Sequence, residues 1–167
     1  DQHSSGSTTS DFGDGVFTET SEFERDRGNM ALYGQALARL GEKADLQAGL
    51  RLDDNDVFGN FTTWRLGVAV HPTRSLKLHA SAGSAFKQPT FSEQFADSPF
   101  EVGAPNLVPE ESTSWQAGAE LSFAARRVAV SASYLAQRFT NMILYTAAPP
   151  GQPTYVNPAG SRADGDE

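Results

Sequence analysis

From residue 29 onward, apolar and polar side chains alternate along segments of about ten residues. The clearest case is 76–83, where Leu or Ala alternates with Lys, His, Ser or Gly. Alternation with a period of two is the mark of a strand with two unlike faces. The predicted strands lie at 29–40, 45–53, 61–71, 76–87, 112–123, 127–143 and 154–163, with a further short strand at 16–24.

Two segments fit the strand pattern less well. Residues 29–40 contain MALYGQALARL, which is rich in helix formers and also compatible with an amphipathic helix, although the neighbouring segments favour a strand. Residues 1–15 are mainly Ser, Thr, Gly and Asp with little to bury, which predicts a loop or a disordered lead-in. We therefore divide the chain into a lead-in at 1–28, with room for one short strand, and a β-domain at 29–167.

The connections alternate in length. Short turns are predicted at GEKA (41–44), PTRS (72–75) and AARR (124–127), and longer loops at 54–60, 88–111 and 144–153. This asymmetry is typical of an up-and-down antiparallel barrel with tight turns at one end and extended loops at the other. The predicted fold is all-β, an antiparallel up-and-down meander of about seven or eight strands, with the longer loops and 1–28 outside the cell.

Composition and charge narrow the choice of partners. The chain has 38% hydrophobic and 20% charged residues, as ordered proteins do. Its formal net charge is −8 with scattered basic residues, so nucleic acid is not expected as a partner. It has no cysteine, which is compatible with export through an oxidising compartment. No apolar run reaches the roughly 18 residues of a spanning helix, and residues 1–15 are no signal peptide.

Four motifs occur in the order found in the carboxyl-terminal half of TonB-dependent receptors, which the sequence resembles. One motif lies in GSAFKQPTFSEQF (83–95), where the matching residues are Ser84, Phe86, Lys87 and Pro89. The second follows that family's NPxLxPE pattern, matched by Asn106, Leu107, Pro109 and Glu110. The others are a hairpin at 31–54, matched by Tyr33, Gln35, Gly49, Arg51 and Asp53, and a terminal element matched by Tyr155, Asn157, Gly165 and Glu167.

This resemblance implies a segment of a large transmembrane β-barrel in the outer membrane of a Gram-negative bacterium. Such barrels have about 22 strands, so seven or eight would form roughly a third of the wall. The sequence shows neither the family's amino-terminal plug nor its aromatic-ended last strand, so we expect a fragment. The implied function is uptake of a scarce large solute such as a ferric siderophore, cobalamin or a glycan.

The resemblance also implies partners. These are outer-membrane lipid, the plug domain and TonB energy-transducing complex of the full-length parent, and a siderophore or similar solute. In a fragment, both outermost strands would be unpaired, and we expect the isolated chain to self-associate through these edges.

Structural roles are expected for the motif residues. Pro89 and Pro109 lack a backbone donor and suit strand ends, where the ladder must stop before a loop. Asn106 suits a turn, and Glu110 is placed to accept hydrogen bonds from backbone amides, although both also fit a merely solvated loop. Leu107 completes this motif.

Aromatic residues are candidates for two roles. Those at or near strand ends fit a girdle at the lipid headgroups, or the core if the fold were a soluble sandwich: Trp64, Trp115, Tyr134, Tyr145 and Tyr155. The candidate ligand contacts lie in the 88–111 loop and are Phe91, Phe95, Phe100 and Glu101. Their aromatic rings would equally serve to pack the loop on itself.

We find no pattern that indicates catalysis, so no enzyme activity, cofactor or metal is expected. Glu110 and Glu111 are adjacent and would point to opposite faces of a strand, unlike a glycosidase pair. His71 and His79 lack metal-ligand spacing, and the acidic run at 53–56 lacks a complete calcium-binding loop. Two alternatives to the transporter remain open, a soluble β-sandwich binding module and a small complete eight-stranded barrel.

Overall fold

A computed structural model describes residues 2–11, 18–98, 100–123, 128–158 and 161–166, with backbone alone for 2–11, 18–25 and 161–166. The described ranges contain eleven strands and one short helix. In chain order they are β1 Gln2–Asp11, β2 Thr18–Arg27, β3 Asn29–Leu40, β4 Ala44–Asn55, β5 Gly59–Thr73, β6 Leu76–Lys87, α1 Phe91–Phe95, β7 Glu110–Phe123, β8 Val128–Thr140, β9 Leu144–Tyr145, β10 Tyr155–Val156 and β11 Ser161–Asp166. Within these ranges, no helix has the length and apolar character needed to cross a membrane.

Seven of the strands form one antiparallel sheet in the order β11-β8-β7-β6-β5-β4-β3. β1 pairs with β2, and β9 with β10, in two separate two-stranded sheets. This confirms the predicted all-β up-and-down meander. In the described part of the chain β11 and β3 do not pair with each other, so the sheet is open and is not the small closed barrel of eight strands.

Most predicted strands are confirmed, with changes at their ends. The strands at 29–40 and 76–87 have the predicted bounds, so the helical alternative for 29–40 is wrong. The strand predicted to run to residue 143 ends at Thr140, because Asn141 adopts a left-handed φ of 56° that interrupts extended backbone. The predicted AARR turn and residue 127 lie outside the described residues.

Two predictions in less regular segments were wrong, and a third was confirmed with shifted bounds. Residues 2–11 form a strand rather than a loop, because their backbone pairs with β2 from Gln2↔Arg27 to Asp11↔Thr18. The predicted strand at 154–163 is instead two, β10 and β11, in different sheets, with residues 159–160 outside the described ranges. The predicted strand at 16–24 corresponds to β2, and residues 16–17 are not described.

The predicted loop at 54–60 is in fact a tight turn of three residues, 56–58. Asn55 closes it, because its Oδ1 accepts hydrogen bonds from Val57 N at 3.0 Å and Phe58 N at 2.9 Å. Gly59 follows with a φ of 81°, a conformation that glycine adopts without strain. β4 and β5 therefore extend further than predicted at the end of the sheet that carries this turn. Two long connections remain at that end, one after β6 and one after β8.

Strand register places the apolar residues on one face of the sheet, called here the apolar face. One cross-strand row runs Leu46, Val68, Ala80, Ala117 and Tyr134. Several large members of this face are widely exposed, namely Leu50, Leu66, Trp115, Leu121 and Val130. No second layer covers this face in the described residues, so the sandwich alternative, in which these residues form a core, is wrong.

The opposite face carries polar and small residues. A representative row runs Arg39, Asp45, Ala69, His79 and Gly118. A Cβ at Gly118 would lie 2.6 Å from Cε1 of His79, so the imidazole occupies the space that the glycine leaves. This face therefore differs from the apolar face in both polarity and side-chain size.

Candidate ligand-binding loops

Two long connections meet at one end of the sheet, and they form the candidate site. The first, 88–109, joins β6 to β7 and contains α1, and the second, 141–160, follows β8 and contains β9 and β10. Because successive strands are antiparallel neighbours, both connections and the 56–58 turn leave the sheet at the same end.

Helix α1 is held by its amino-terminal cap. Thr90 Oγ1 accepts a hydrogen bond from Glu93 N at 3.1 Å, and Glu93 Oε2 accepts one from Thr90 N at 2.7 Å. This reciprocal pair is a capping box, which satisfies two donors that a helix start leaves unpaired. Lys87 Nζ adds a contact of 3.0 Å to Glu93 Oε1. Burial alone would raise the pKa of Glu93, but the hydrogen bonds from Thr90 and Lys87 outweigh it and lower that pKa.

The 88–109 loop folds back tightly on α1. Ala104 N donates to Glu93 O at 2.9 Å, and Gly103 N donates to Ala96 O at 2.7 Å. A Cβ at Gly103 would overlap the backbone of Gln94, so only glycine fits at this position. The loop is therefore a packed structure rather than an open coil.

The two long connections are joined to each other through backbone and side-chain hydrogen bonds. Thr154 N donates to Val102 O at 2.9 Å, and Val102 N donates to Thr154 Oγ1 at 3.2 Å. The Tyr155 hydroxyl donates to Glu101 Oε1, and the Tyr145 hydroxyl donates to Phe100 O at 2.8 Å. Burial, followed by the hydrogen bond to the Glu101 carboxylate, raises the pKa of Tyr155 to about 12.

Two sequence motifs also contact each other here. Asn157 Oδ1 accepts from Val108 N at 2.9 Å, while its Nδ2 donates to Val108 O at 3.2 Å and to Asn141 O at 2.6 Å. Val108 lies inside NLVPE (106–110), and Asn157 ends YVN (155–157). One asparagine side chain thus pairs with the backbone of the other motif as a strand partner would.

The motif residues of the first loop occupy different environments. Pro89 is fully buried, Leu107 is 5% exposed, and Pro109 is also buried. Asn106 is exposed in a turn. Glu110 Oε1 accepts a hydrogen bond from Ile143 N at 2.5 Å, which joins the first residue of β7 to the second long connection.

The four candidate contact residues are not equivalent. Phe91 and Phe95 begin and end α1 and are half-buried, and Glu101 accepts a hydrogen bond from Tyr155. Phe100 is 66% exposed and presents most of its ring to solvent. All four lie in one loop, and Phe100 is the most exposed of them.

Sequence reasoning missed Arg27, which is 4% exposed and reaches the 88–109 loop from the end of β2. Its neighbours in sequence are polar or charged, so no alternating pattern marks it as buried. Among the described residues, no group of three or more His, Asp or Glu side chains is placed to hold a metal ion. The acidic run is engaged otherwise, since Asp53 pairs with Arg51 at 2.7 Å and Asp56 Oδ2 accepts from Gly28 N at 2.8 Å.

Curated relatives match part of this chain. The vitamin B12 transporter BtuB of Photobacterium profundum is 39% identical over 99 residues, which cover 59% of this chain and 16% of that protein. The vitamin B12 transporter BtuB of Vibrio cholerae serotype O1 is 36% identical over 105 residues, which cover 63% of this chain and 16% of that protein. The chain thus spans about 16% of the length of these relatives.

Solved structures show the same fold. The siderophore receptor PirA from Pseudomonas aeruginosa superposes with a TM-score of 0.70 at 24% identity, covering 88% of this chain and 28% of that chain. The copper transporter OprC superposes with a TM-score of 0.69 at 18% identity, covering 98% of this chain and 30% of that chain. The sequence profile of the family described as TonB dependent receptor-like, beta-barrel, matches residues 1–165. Because that profile covers nearly the whole chain, the chain belongs to the TonB-dependent receptor family and corresponds to part of its β-barrel.

Proposed function

We propose that this chain forms part of the barrel wall and extracellular loops of an outer-membrane transporter that takes up a scarce large solute. The observation that carries the proposal is the exposed apolar face, which is continuous across neighbouring strands and lies opposite a polar face. In a lipid-embedded barrel wall, apolar side chains face hydrocarbon and the alternate residues face the lumen. We also propose that the chain has no enzymatic role, because the family to which it belongs is described as one of receptors.

Aromatic residues support a membrane position for this sheet. On the apolar face, Trp64 and Trp115 lie in the halves of β5 and β7 nearer the loops, and Tyr134 lies at the middle of β8. The rings of Trp115 and Tyr134 are 5.1 Å apart between centroids. Tryptophan and tyrosine are enriched at the depth of the lipid headgroups. We therefore place the two tryptophans toward the outer interface and the loops beyond them, outside the cell.

Cobalamin is the first solute to test, because proteins named as vitamin B12 transporters are 36–39% identical to this chain over about a hundred residues. A ferric siderophore is the second candidate, supported by the shared fold of a siderophore receptor. In the intact receptor, the plug domain and the TonB complex would be the further partners. Expressed by itself, the chain would self-associate through β3 and β11, the end strands of the sheet.

We place solute capture in the 88–109 loop, with Phe100, Phe91, Phe95 and Glu101 as contacts. The test uses the intact protein in cells that lack their own cobalamin and siderophore receptors, with binding and uptake of labelled solute as readouts. Phe100→Ala is expected to weaken binding on the order of tenfold, the effect of losing one aromatic contact. Phe123→Ala is the matched control, since Phe123 is an exposed ring on the apolar face at the tight-turn end.

Uptake of cobalamin in these cells would support the proposal, and uptake of a ferric siderophore alone would move the solute to the second candidate. Absence of uptake of both, with the protein correctly inserted in the outer membrane, would overturn the transport proposal. Equal loss of binding in both phenylalanine variants would overturn the assignment of capture to this loop.

A further inference from the structure

Arg27 occupies an unusual position for a cation. Its Cζ lies 4.7 Å from the ring centroids of both Phe58 and Phe91. Its Nη1 donates to Pro89 O at 2.8 Å, and its Nη2 donates to Gln94 Oε1 at 2.7 Å. The guanidinium is thus enclosed by two aromatic rings and two neutral oxygens, with only 4% of the residue exposed.

Burial of this cation carries an energetic cost. Desolvation lowers the pKa of Arg27, opposed by the charge of Asp56. Within the described residues Nε has no hydrogen-bond partner. Two charge-assisted hydrogen bonds and two cation–π contacts offset that cost, and each depends on the planar guanidinium. A lysine at this position would keep the charge and lose the planar geometry.

The contacts of Arg27 join three separate parts of the chain. Arg27 itself ends β2, Phe58 belongs to the turn between β4 and β5, and Pro89 and Phe91 begin the 88–109 loop. Gln94 extends the connection, since its Nε2 donates to Pro105 O at 3.3 Å. The Arg27 side chain therefore links the first part of the loop to the end of β2 and to the 56–58 turn, beside the hydrogen bonds of Gln88 to Asn29 and Asn55.

The far part of the same loop is held differently. The backbone N–H and C=O groups of Val102 exchange hydrogen bonds with Thr154, and those of Val108 exchange hydrogen bonds with the Asn157 side chain. Phe100 lies between the two attachments. Loss of Arg27 would thus remove the tie between the start of the loop and the 56–58 turn and leave the far attachment in place.

We propose that Arg27 is a positioning residue. Its contacts with Phe58, Pro89, Phe91 and Gln94, called here the latch, hold the first part of the 88–109 loop and so set the position of the solute-contacting rings. The inference rests on the proposed function for the identity of those contacts. Because the latch depends on geometry, Arg27→Lys and Arg27→Gln both release the loop. If Arg27 acted by attracting an anionic solute, Arg27→Lys would retain most of the binding.

The chain contains no cysteine, which allows site-specific spin labels at engineered pairs. In the intact protein, with any cysteine elsewhere replaced by serine, one pair reports the latch and carries labels at Ser92→Cys and Val57→Cys, both exposed positions. A second pair, Val108→Cys and Gln152→Cys, reports the far attachment. Pulsed electron paramagnetic resonance gives the distance distribution of each pair, and thermal unfolding confirms that each variant is folded.

We expect a narrow distribution for both pairs with the native arginine. Arg27→Lys and Arg27→Gln broaden the Ser92–Val57 distribution, leave the Val108–Gln152 distribution narrow, and weaken cobalamin binding on the order of tenfold. Arg39→Gln is the matched control, because it removes an exposed arginine near the tight turns and should leave both distributions and the affinity unchanged.

Two results would overturn the latch. One is a Ser92–Val57 distribution that stays narrow in Arg27→Lys, and the other is a broadened distribution with unchanged affinity for a solute that the native protein binds. If the native protein binds neither cobalamin nor a ferric siderophore, the proposed function fails. The distance measurement still decides in that case whether Arg27 holds the loop.

Discussion

Asn157 joins the two long connections through three hydrogen bonds, and replacing it by alanine removes all of them. Val108 N and O and Asn141 O then lose this partner. A net contribution of about 1 kcal/mol for each bond gives an upper value of about 3 kcal/mol. Since water reaches this partly exposed site and replaces some of the lost bonding, we expect about 2 kcal/mol of local destabilisation.

Amide hydrogen exchange at Val108 measures this loss directly. A local opening that becomes easier by about 2 kcal/mol accelerates exchange about thirtyfold. Asn157→Asp should accelerate it less than Asn157→Ala, because a carboxylate still accepts from Val108 N and loses only the two bonds to the carbonyls. Asn106→Ala is the control, since Asn106 is an exposed turn residue in the same motif.

Unchanged exchange of the Val108 amide in Asn157→Ala, in a protein with a normal unfolding temperature, would refute the proposed pairing of the two motifs. The same conclusion would follow if Asn106→Ala accelerated exchange as much as Asn157→Ala. Either result would mean that other contacts hold the two connections together.

Three further predictions concern steric fit and pH. Gly118→Val should destabilise the barrel by about 1–3 kcal/mol in thermal unfolding, because its side chain collides with His79, whereas Gly34→Ala, with open space around it, should change little. The lowered pKa of Glu93 means that its capping contribution is present above the ordinary glutamate pKa and is lost as pH falls through the folded value, which exchange of the Thr90 amide, the donor to the Glu93 carboxylate, should report. Tyr155 should ionise near pH 12 in an ultraviolet titration. The stability that its contact with Glu101 contributes should be fully present below the ordinary tyrosine pKa and be lost as pH rises through about 12.

The wall of this protein could be predicted from sequence because each strand carries its own signal. Residues 76–87 alternate in polarity and follow a turn in which Thr73 Oγ1 accepts from Leu76 N at 3.1 Å. Such short-range features are visible in any single segment. Strand β2 was predicted at 16–24, but its partner β1 was missed, because the Ser- and Thr-rich sequence of β1 has no apolar alternation and its pairing is a backbone property.

The loop contacts were harder to predict because their partners are far apart in the sequence. Arg27 binds Pro89 and Gln94, which are 62 and 67 residues away. Asn157 was recognised as a motif residue, but Val108, its partner, lies 49 residues earlier. Nothing local to either residue indicates the other, so the resemblance to the family predicted which residues matter and only the structure showed what they bind.

The two-faced wall is tested most directly by nitroxide labels placed singly at positions 115–121, other than Gly118, of the intact protein in a lipid bilayer. Oxygen, which concentrates in hydrocarbon, and a water-soluble nickel complex report the surroundings of each label. We predict that labels at Trp115, Ala117, Ala119 and Leu121 are accessible to oxygen, whereas those at Gln116 and Glu120 are shielded from oxygen or accessible to nickel. Accessibility without a period of two, or oxygen exclusion at the apolar-face positions, would contradict the assignment of this sheet to a membrane-spanning barrel wall.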